Sequence, residues 1–519
     1  MPTYTNPGVY VSESTLATNA QRSNFAQSAG CFFGTAPRGP VDATLVDSWS
    51  AYKNYYGDIS ASHELGFSVY HYFANGGREA YIVRVASGAS STSAASASVP
   101  YYATAGASAT SNLFVARAAN VGAWGNGLTV KTEAISAANT YPAIGTSTQQ
   151  YQYNLVVTLD GAEVERWNNV CSDPTDNRFV KTVVNTYSKY ITIPTTTWPS
   201  AVVGAAPYTS TVALVNGNDG ATVTTSDYTN SINSKLATVE GSLILHAPGV
   251  TGATGTAIDV TAITALNSVA TSRGNSFVIV DPADISVKAD IATLVSTYPQ
   301  SSYLAVYYPK LKMVDPTKTG PAAIRDTFPG GAVMGAYIRT DATRSVAKAP
   351  AGYDVDIRNA IGLVNTLSPS NTGELYESYG VNSLKAIPGG GIIIHGARTL
   401  DKSSPGKYIP IRRSLNYLKQ TLADSTAFAV FEPNDDRLWT RLTMTVSSIL
   451  SEFWRSGGLK GTNASQAFYI ICDSTNNTPT SIQNGEVRIQ VGVALQYPAE
   501  FIVINLSQWT GGSNAVSTL

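Results

Sequence analysis

Three apolar runs, GSLILHAPG (241–249), NSFVIVDP (275–282) and SSYLAVYYP (301–309), are separated by two helix-length stretches. The runs are continuous in Leu, Ile, Val and Phe rather than alternating with polar residues, so strands made from them have two faces to bury. Between them, TAIDVTAITALNSVATSRG (256–274) places apolar residues at 258, 263, 266 and 269, a helical spacing, and ADISVKADIATLVSTYP reads as a second helix. Strand–helix alternation with doubly buried strands predicts a mainly parallel sheet covered by helices on both faces. PGGAVMGAYIRTDATR continues the pattern as a further helix.

The same logic extends along the chain. AGCFFGTAPRGP reads as a buried strand running into a Gly/Pro turn. SWSAYKNYYG and GFSVYHYFANGG read as helices, the second stopped by Gly76 and Gly77, and REAYIVRV (78–85) as a strand. ASGASSTSAASASVPYYATAGASATSN (86–112) has little to bury and reads as a boundary or flexible loop. Short strands follow in LFVARA, GLTVKTE and YNLVVTL, then LDGAEVERW through an Asp160-Gly161 hairpin turn, then YSKYITIP. Near the C-terminus, IRRSLNYLKQTLAD and LWTRLTMTVSSILSEFWRSGG (438–458) read as helices. The latter sets Leu438, Leu442, Val446, Ile449, Leu450 and Phe453 on one face, with Asn434, Asp435 and Asp436 suited to its start and Gly457-Gly458 to its end. AFYIICD, EVRIQVGVAL and AEFIVINLSQW read as strands. The expected organisation is an N-terminal arm (1–27), the first part of an α/β core (28–99), an inserted β domain (100–215), a central α/β domain (216–379), a C-terminal α/β domain (380–499) and a terminal strand and tail (500–519).

Composition narrows the function. Charged residues make up 13% of the 519, about half the usual ~25%, and the net charge is -1. Such balance carries no global signature of nucleic-acid binding. Low charge follows either from compositional drift or from a surface spent in contacts, where charge is depleted. Cys31, Cys171 and Cys472 are odd in number and far apart, with no C-x-x-C, which argues against a disulfide framework and a zinc site. MPTYTNPGVY lacks the basic and apolar regions of a signal peptide, and no apolar run approaches the ~18 residues of a membrane span. The expected product is soluble and made in a cytoplasm.

Motifs for catalysis are missing. IPGGGIIIHG (387–396) has glycines before a strand but neither a phosphate-loop lysine nor a dinucleotide fingerprint, and reads as a tight turn; TGATGTAID (251–259) reads as a loop. His63, His71, His246 and His395 have no His or Cys at metal-ligand spacing. His246 and Asp281 each end a strand, where open α/β sheets often carry active residues, and form the one candidate acid–base pair. No G-x-S-x-G accompanies them, and capping or loop roles are the simpler reading. The expectation is therefore no catalytic, cofactor-binding or metal-binding residues.

Two features point outward. TNPGVYVSES (5–14) is a good strand, with Val9 and Val11 on one side and Tyr10 and Ser12 on the other, yet almost no chain precedes it. The stretch behind it (14–27) is polar and aperiodic, a tether, so its partner strand lies elsewhere in the chain or in another molecule. In addition, Lys385, Arg398, Lys402, Lys407, Arg412, Arg413 and Lys419 crowd residues 381–419 against Asp401 alone, while Glu432, Asp435 and Asp436 follow at once. This is either a solvated face or a pair of complementary patches for assembly.

The sequence resembles the contractile tail sheath proteins of bacteriophages and related bacterial injection systems. The likeness lies in PGVYVSE (7–13), FFGTAPRGP (32–40), YIRTDATRSVAKAPAG (337–352), YGVNSLKAIPGGGIIIHGARTL (379–400), YIPIRRSLNYL (408–418), FEPND (431–435), FWRSGGLKG (453–461) and YPAEFIVINL (497–506). It skips residues 100–215. The resemblance implies a structural protein without a cofactor. Stacked hexameric rings would surround an inner tail tube, with baseplate and neck or terminator proteins as further partners, and without direct nucleic-acid contact or stable membrane insertion. The location it implies is the virion tail, assembled in the host cytoplasm, or the cytoplasm for a cellular injection system. It also implies that the sheet of the C-terminal domain is completed by strands from neighbouring subunits. An N-terminal donor would include Val9, Tyr10 and Val11, and a C-terminal one Phe501, Val503 and Leu506. Lys385, Arg398, Lys407, Arg412, Arg413, Asp435 and Asp436 are then the candidates for assembly or tube contact. An open-sheet α/β enzyme using His246 or Asp281, and an extracellular lattice or adhesin protein, are the alternatives.

Overall fold

The computed structural model describes residues 28–87, 94–101, 111–135, 152–194, 209–250, 259–283, 285, 287–403 and 406–500. Its centre is an eight-stranded sheet. In chain order the strands are β1 (Ala29–Gly34), β2 (Thr44–Val46), β3 (Ala80–Arg84), β4 (Leu243–His246), β5 (Phe277–Val280), β6 (Leu304–Tyr308), β7 (Val381–Ile387) and β8 (Gly391–His395). Across the sheet the order is β8-β7-β6-β5-β4-β1-β3-β2. The six inner strands are parallel, and the edge strands β2 and β8 are antiparallel to their neighbours. The chain leaves β1 toward β3 and returns on the other side of β1 as β4, so the strand order reverses there.

The continuous apolar runs are explained by two cores. Alternate residues of each strand point to opposite faces. Cys31, Phe33, Leu243, Leu245, Val278, Val280, Leu304 and Val306 meet helices α3 (Val260–Arg273), α4 (Lys288–Ser296) and α6 (Pro369–Tyr379) on one face. Phe32, Ile82, Ile244, Phe277, Ile279, Ala305 and Tyr307 meet α1 (Trp49–Tyr56), α2 (Glu64–Ala74) and α5 (Gly330–Thr343) on the other. Helix α5 is buried along most of its length and rich in glycine. A β-carbon at Gly331 or Gly335 would strike the backbone of α2, so these glycines let the two helices approach closely.

Residues between β3 and β4 form two antiparallel sheets around a separate core of residues such as Phe114, Leu128, Tyr153, Leu155, Val157 and Ile191. The Asp160-Gly161 pair turns the hairpin between Tyr153–Leu159 and Ala162–Val170 with φ of 50° and 84°, the left-handed pair such a turn requires. Two local expectations are corrected. Ser96–Tyr101, inside the stretch read as loop, is a strand paired with Ser111–Ala118, because small and β-branched residues suffice where a neighbouring strand supplies the hydrogen bonds. YSKYITIP contributes only Ile191–Thr192 as strand, and the helix Val180–Tyr187 ends just before Ser188.

The C-terminal unit packs α7 (Ile409–Thr426) and α8 (Asp436–Arg455) against a two-stranded antiparallel sheet of β9 (Phe468–Ile471) and β10 (Gln490–Val493). Tyr417, Leu418, Val446, Leu450 and Phe453 are its buried centre. Strands β7 and β8 belong to the main sheet, paired through Val306↔Val381, so residues 381–395 pack with the core rather than with the C-terminal unit to which the sequence reading assigned them. The physical reason is register: Val381 and Leu384 complete the two core faces that β6 leaves open.

Candidate assembly site

The candidate site is the C-terminal unit. Its long helix α8 packs on α7 and β9, and its start is set by Asp435. The Asp435 carboxylate accepts hydrogen bonds from the Arg437 and Leu438 amides at 3.1 and 2.9 Å. Asp436 adds a negative charge to the exposed first turn, where the helix dipole favours it. Leu438, Leu442, Val446, Leu450 and Phe453 are buried, as their spacing predicts. The strands opposite are sparsely covered: Phe468, Ile470, Ile489, Val491, Val493 and Leu495 are only partly buried, and Tyr469 is 52% exposed.

The structure scatters the basic group. Lys385 is exposed on β7. Lys407 holds its ammonium 5.6 Å from the Tyr408 ring centre. Arg412 donates to Ser302 Oγ at 2.9 Å and stacks on Tyr303. Arg413 is buried, paired with the Asp341 carboxylate through both terminal nitrogens and set over Tyr337. Burial works against its charge, but Asp341 outweighs it, and the net effect strengthens the protonated form. Arg398 is also buried and pairs with Glu500 in a two-pronged contact, Nη2 to Oε2 at 2.6 Å and Nε to Oε1 at 3.0 Å. Two of the five cations are thus consumed inside the subunit, because a desolvated guanidinium must be paired. Lys385, Asp435 and Asp436 stand exposed. The expected strand residues Val9, Tyr10, Val11, Phe501, Val503 and Leu506 lie outside the described residues.

Nothing in the sequence marks Glu500 as the partner of Arg398, which lies 102 residues away. Burial acts to raise its pKa, but hydrogen bonds from Arg398 and Tyr376 outweigh that and hold the carboxyl below its ordinary value.

His246 and Asp281 do come together, Nε2 to Oδ2 at 3.3 Å, at the ends of β4 and β5. They are 0% and 2% exposed, and the first residue of α5 seals them: a β-carbon at Gly330 would collide with both. Burial pushes Asp281 up to about 8 and His246 down to about 4. The pair is a closed polar contact in the core, with no room for a substrate. Among the described residues no cluster of His, Cys, Asp and Glu is arranged to hold a metal ion, and no helix is long and apolar enough to cross a membrane.

Residues 401–508, which contain α7, α8, β9 and β10, match the family model described as the phage tail sheath C-terminal domain. The chain is similar to the contractile tail sheath proteins. The tail sheath protein of Enterobacteria phage T4 is 30% identical over 159 residues, which is 30% of this chain and 23% of that protein. The chain spans about a quarter of the length of the curated sheath relatives it matches. Whole-chain likeness comes from solved structures. The PVC sheath complex of an extracellular contractile injection system, in the contracted state, has a TM-score of 0.57 at 19% identity and covers 98% of this chain and 99% of that one. The sheath tail protein Lin1278 from Listeria innocua has a TM-score of 0.60 at 13% identity, covering 90% and 95%. These neighbours share the mixed α/β fold.

Proposed function

We propose that this chain is a tail sheath subunit that stacks as six-membered rings around an inner tube and contracts to drive the tube through a target envelope, in a phage or in a bacterial contractile injection system. The observation that carries this reading is the small sheet of β9 and β10, which lies within the segment matching the sheath C-terminal domain. Two short strands alone are marginal in water, their open edges are templates for pairing, and their apolar side chains are half covered. Strands added from neighbouring subunits would satisfy both needs, a form of β-augmentation.

The donors in this reading are residues 7–13 and 500–508. About five shared backbone hydrogen bonds at ~0.5–1.5 kcal/mol each would hold one link. The tether of residues 14–27 reaches roughly 45 Å at ~3.3 Å per residue, so subunits can rotate and slide while still joined. Contraction then draws on interface free energy, as contacts change register between two packings. Exposed charges such as Lys385, Asp435 and Asp436 suit contacts that exchange partners. The other partners are the inner tube protein, the baseplate and the neck or terminator proteins. The location is the virion tail, or the bacterial cytoplasm for an injection system.

The test is removal of residues 1–13. The shortened subunit is expected to fold and to remain unpolymerised in sedimentation, whereas the full chain pellets. Polymerisation of both to the same extent contradicts strand donation.

A further inference from the structure

The chain leaves the small sheet after Val493 and comes to rest on the large one. Ala494 and Gln496 still bond to the C-terminal unit, through the Ala467 carbonyl at 2.8 Å and the Gly458 carbonyl at 3.3 Å. Tyr497 then lies edge-on to Tyr408 with ring centres 6.0 Å apart. Glu500 ends in a pocket of donors. Arg398 grips both carboxylate oxygens, Tyr376 donates its hydroxyl to Oε1, and the Tyr408 hydroxyl stands 3.5 Å from Oε2. The Arg398 and Glu500 side chains are 4% and 11% exposed.

The pocket is rigid because of what lies beneath it. The Arg398 guanidinium stacks 4.2 Å from the Tyr376 ring centre and donates from Nη1 to the Tyr376 carbonyl at 3.3 Å. Its backbone is held on both sides by Asn382 of β7: the Arg398 amide donates to Asn382 Oδ1 at 2.7 Å, and Asn382 Nδ2 donates to the Arg398 carbonyl at 2.8 Å. The same Asn382 amide donates to Val306 of β6 at 3.1 Å. Asn382 is 0% exposed. Two strands of the main sheet therefore fix the residue that grips Glu500.

We propose that Tyr376, Arg398 and Tyr408 form a carboxylate socket that pins the chain at Glu500 to the eight-stranded sheet, so that the C-terminal arm departs from a fixed point and a pull on it passes to the large sheet. This rests on reading residues 500–508 as a strand donated outward, with Glu500 as its anchored first residue. Without the socket, tension on the arm would fall on β10, whose few bonds to β9 are peeled one after another. With it, several charge-assisted bonds must break together, and their loss strands a buried guanidinium, which resists release. The socket thus protects the small sheet while subunits move.

Hydrogen–deuterium exchange on the full-length, unassembled chain tests this. Glu500→Gln keeps the shape and removes the charge. It is expected to raise exchange over residues 494–500 by about tenfold or more, the factor that one lost charge-assisted hydrogen bond represents. Residues 381–395 of the main sheet should stay as protected as in the wild type. Exchange over 494–500 that matches the wild type overturns the socket. Should Glu500→Gln fail to fold, Arg398→Lys, which keeps the charge and loses the fork, carries the same expectation. The two readings fail separately. A chain lacking residues 501–519 that still polymerises overturns C-terminal strand donation, and wild-type exchange in Glu500→Gln overturns the socket whatever that deletion does.

Discussion

Replacing Asp281 by Asn should change how stability depends on pH, and the sign follows from where one proton sits. His246 Nδ1 lies 3.0 Å from the Ile279 carbonyl and donates to it, which leaves Nε2 as an acceptor facing Asp281. Burial raises Asp281 from 3.8 to about 8, with Glu64 reinforcing it and the Gly330 amide and Lys310 opposing. Burial likewise lowers His246 from 6.5 to about 4, the Ile279 carbonyl opposing. The folded pair therefore holds one proton up to pH of about 8, whereas the unfolded chain, with its ordinary histidine, holds one only to about 6.5. Between pH 4 and 6.5 both states carry one proton and the pair contributes no slope. Between 6.5 and 8 the folded state carries one more, so stability falls as pH rises. At ~1.4 kcal/mol per pH unit the loss comes to about 2 kcal/mol. In Asp281→Asn only the depressed histidine remains. Stability should then rise up to pH 6.5 and stay level above it. Urea unfolding of both unassembled chains from pH 5.5 to 8.5 provides the comparison. The wild type should lose about 2 kcal/mol relative to Asp281→Asn between pH 6.5 and 8. Parallel curves across that window would refute the shared-proton account.

Two packing predictions concern the C-terminal unit. Asp435→Ala removes the cap of α8 and is expected to cost about 1 kcal/mol in urea unfolding, with the Leu438 and Arg437 amides turned to water. Phe453→Ala empties a site that is 2% exposed, where the ring tilts against that of Tyr417 with centres 5.5 Å apart, and should cost about 3–5 kcal/mol. Because the two residues share one helix, a drop in sedimentable polymer should follow the second change far more than the first.

Much of this architecture can be read from residue order. The apolar runs at 241–249, 275–282 and 301–309 become adjacent parallel strands because their alternate residues serve two cores at once. Asp435 and the spacing of Leu438, Leu442, Val446 and Leu450 announce α8. What escapes is whatever depends on residues far apart in sequence. The 381–395 hairpin looks like part of the C-terminal unit until Val381 is seen beside Val306. The basic cluster looks like a surface patch until Arg413 meets Asp341 and Arg398 meets Glu500, across 72 and 102 residues. Charge counted along a chain cannot tell a solvated lysine from a buried arginine whose partner lies a hundred residues away. His246 and Asp281 show the same limit from the other side: the sequence places both at strand ends, and only the close approach of α5 at Gly330 reveals a sealed contact.

The most direct test of a strand-linked sheath is negative-stain electron microscopy of the purified full-length chain beside the chain lacking residues 1–13. The account predicts hollow tubes with six-fold end views from the full chain, and separate folded subunits from the deletion. Tubes of the same form from both would contradict it, because the subunits would then be joined by something other than the N-terminal strand.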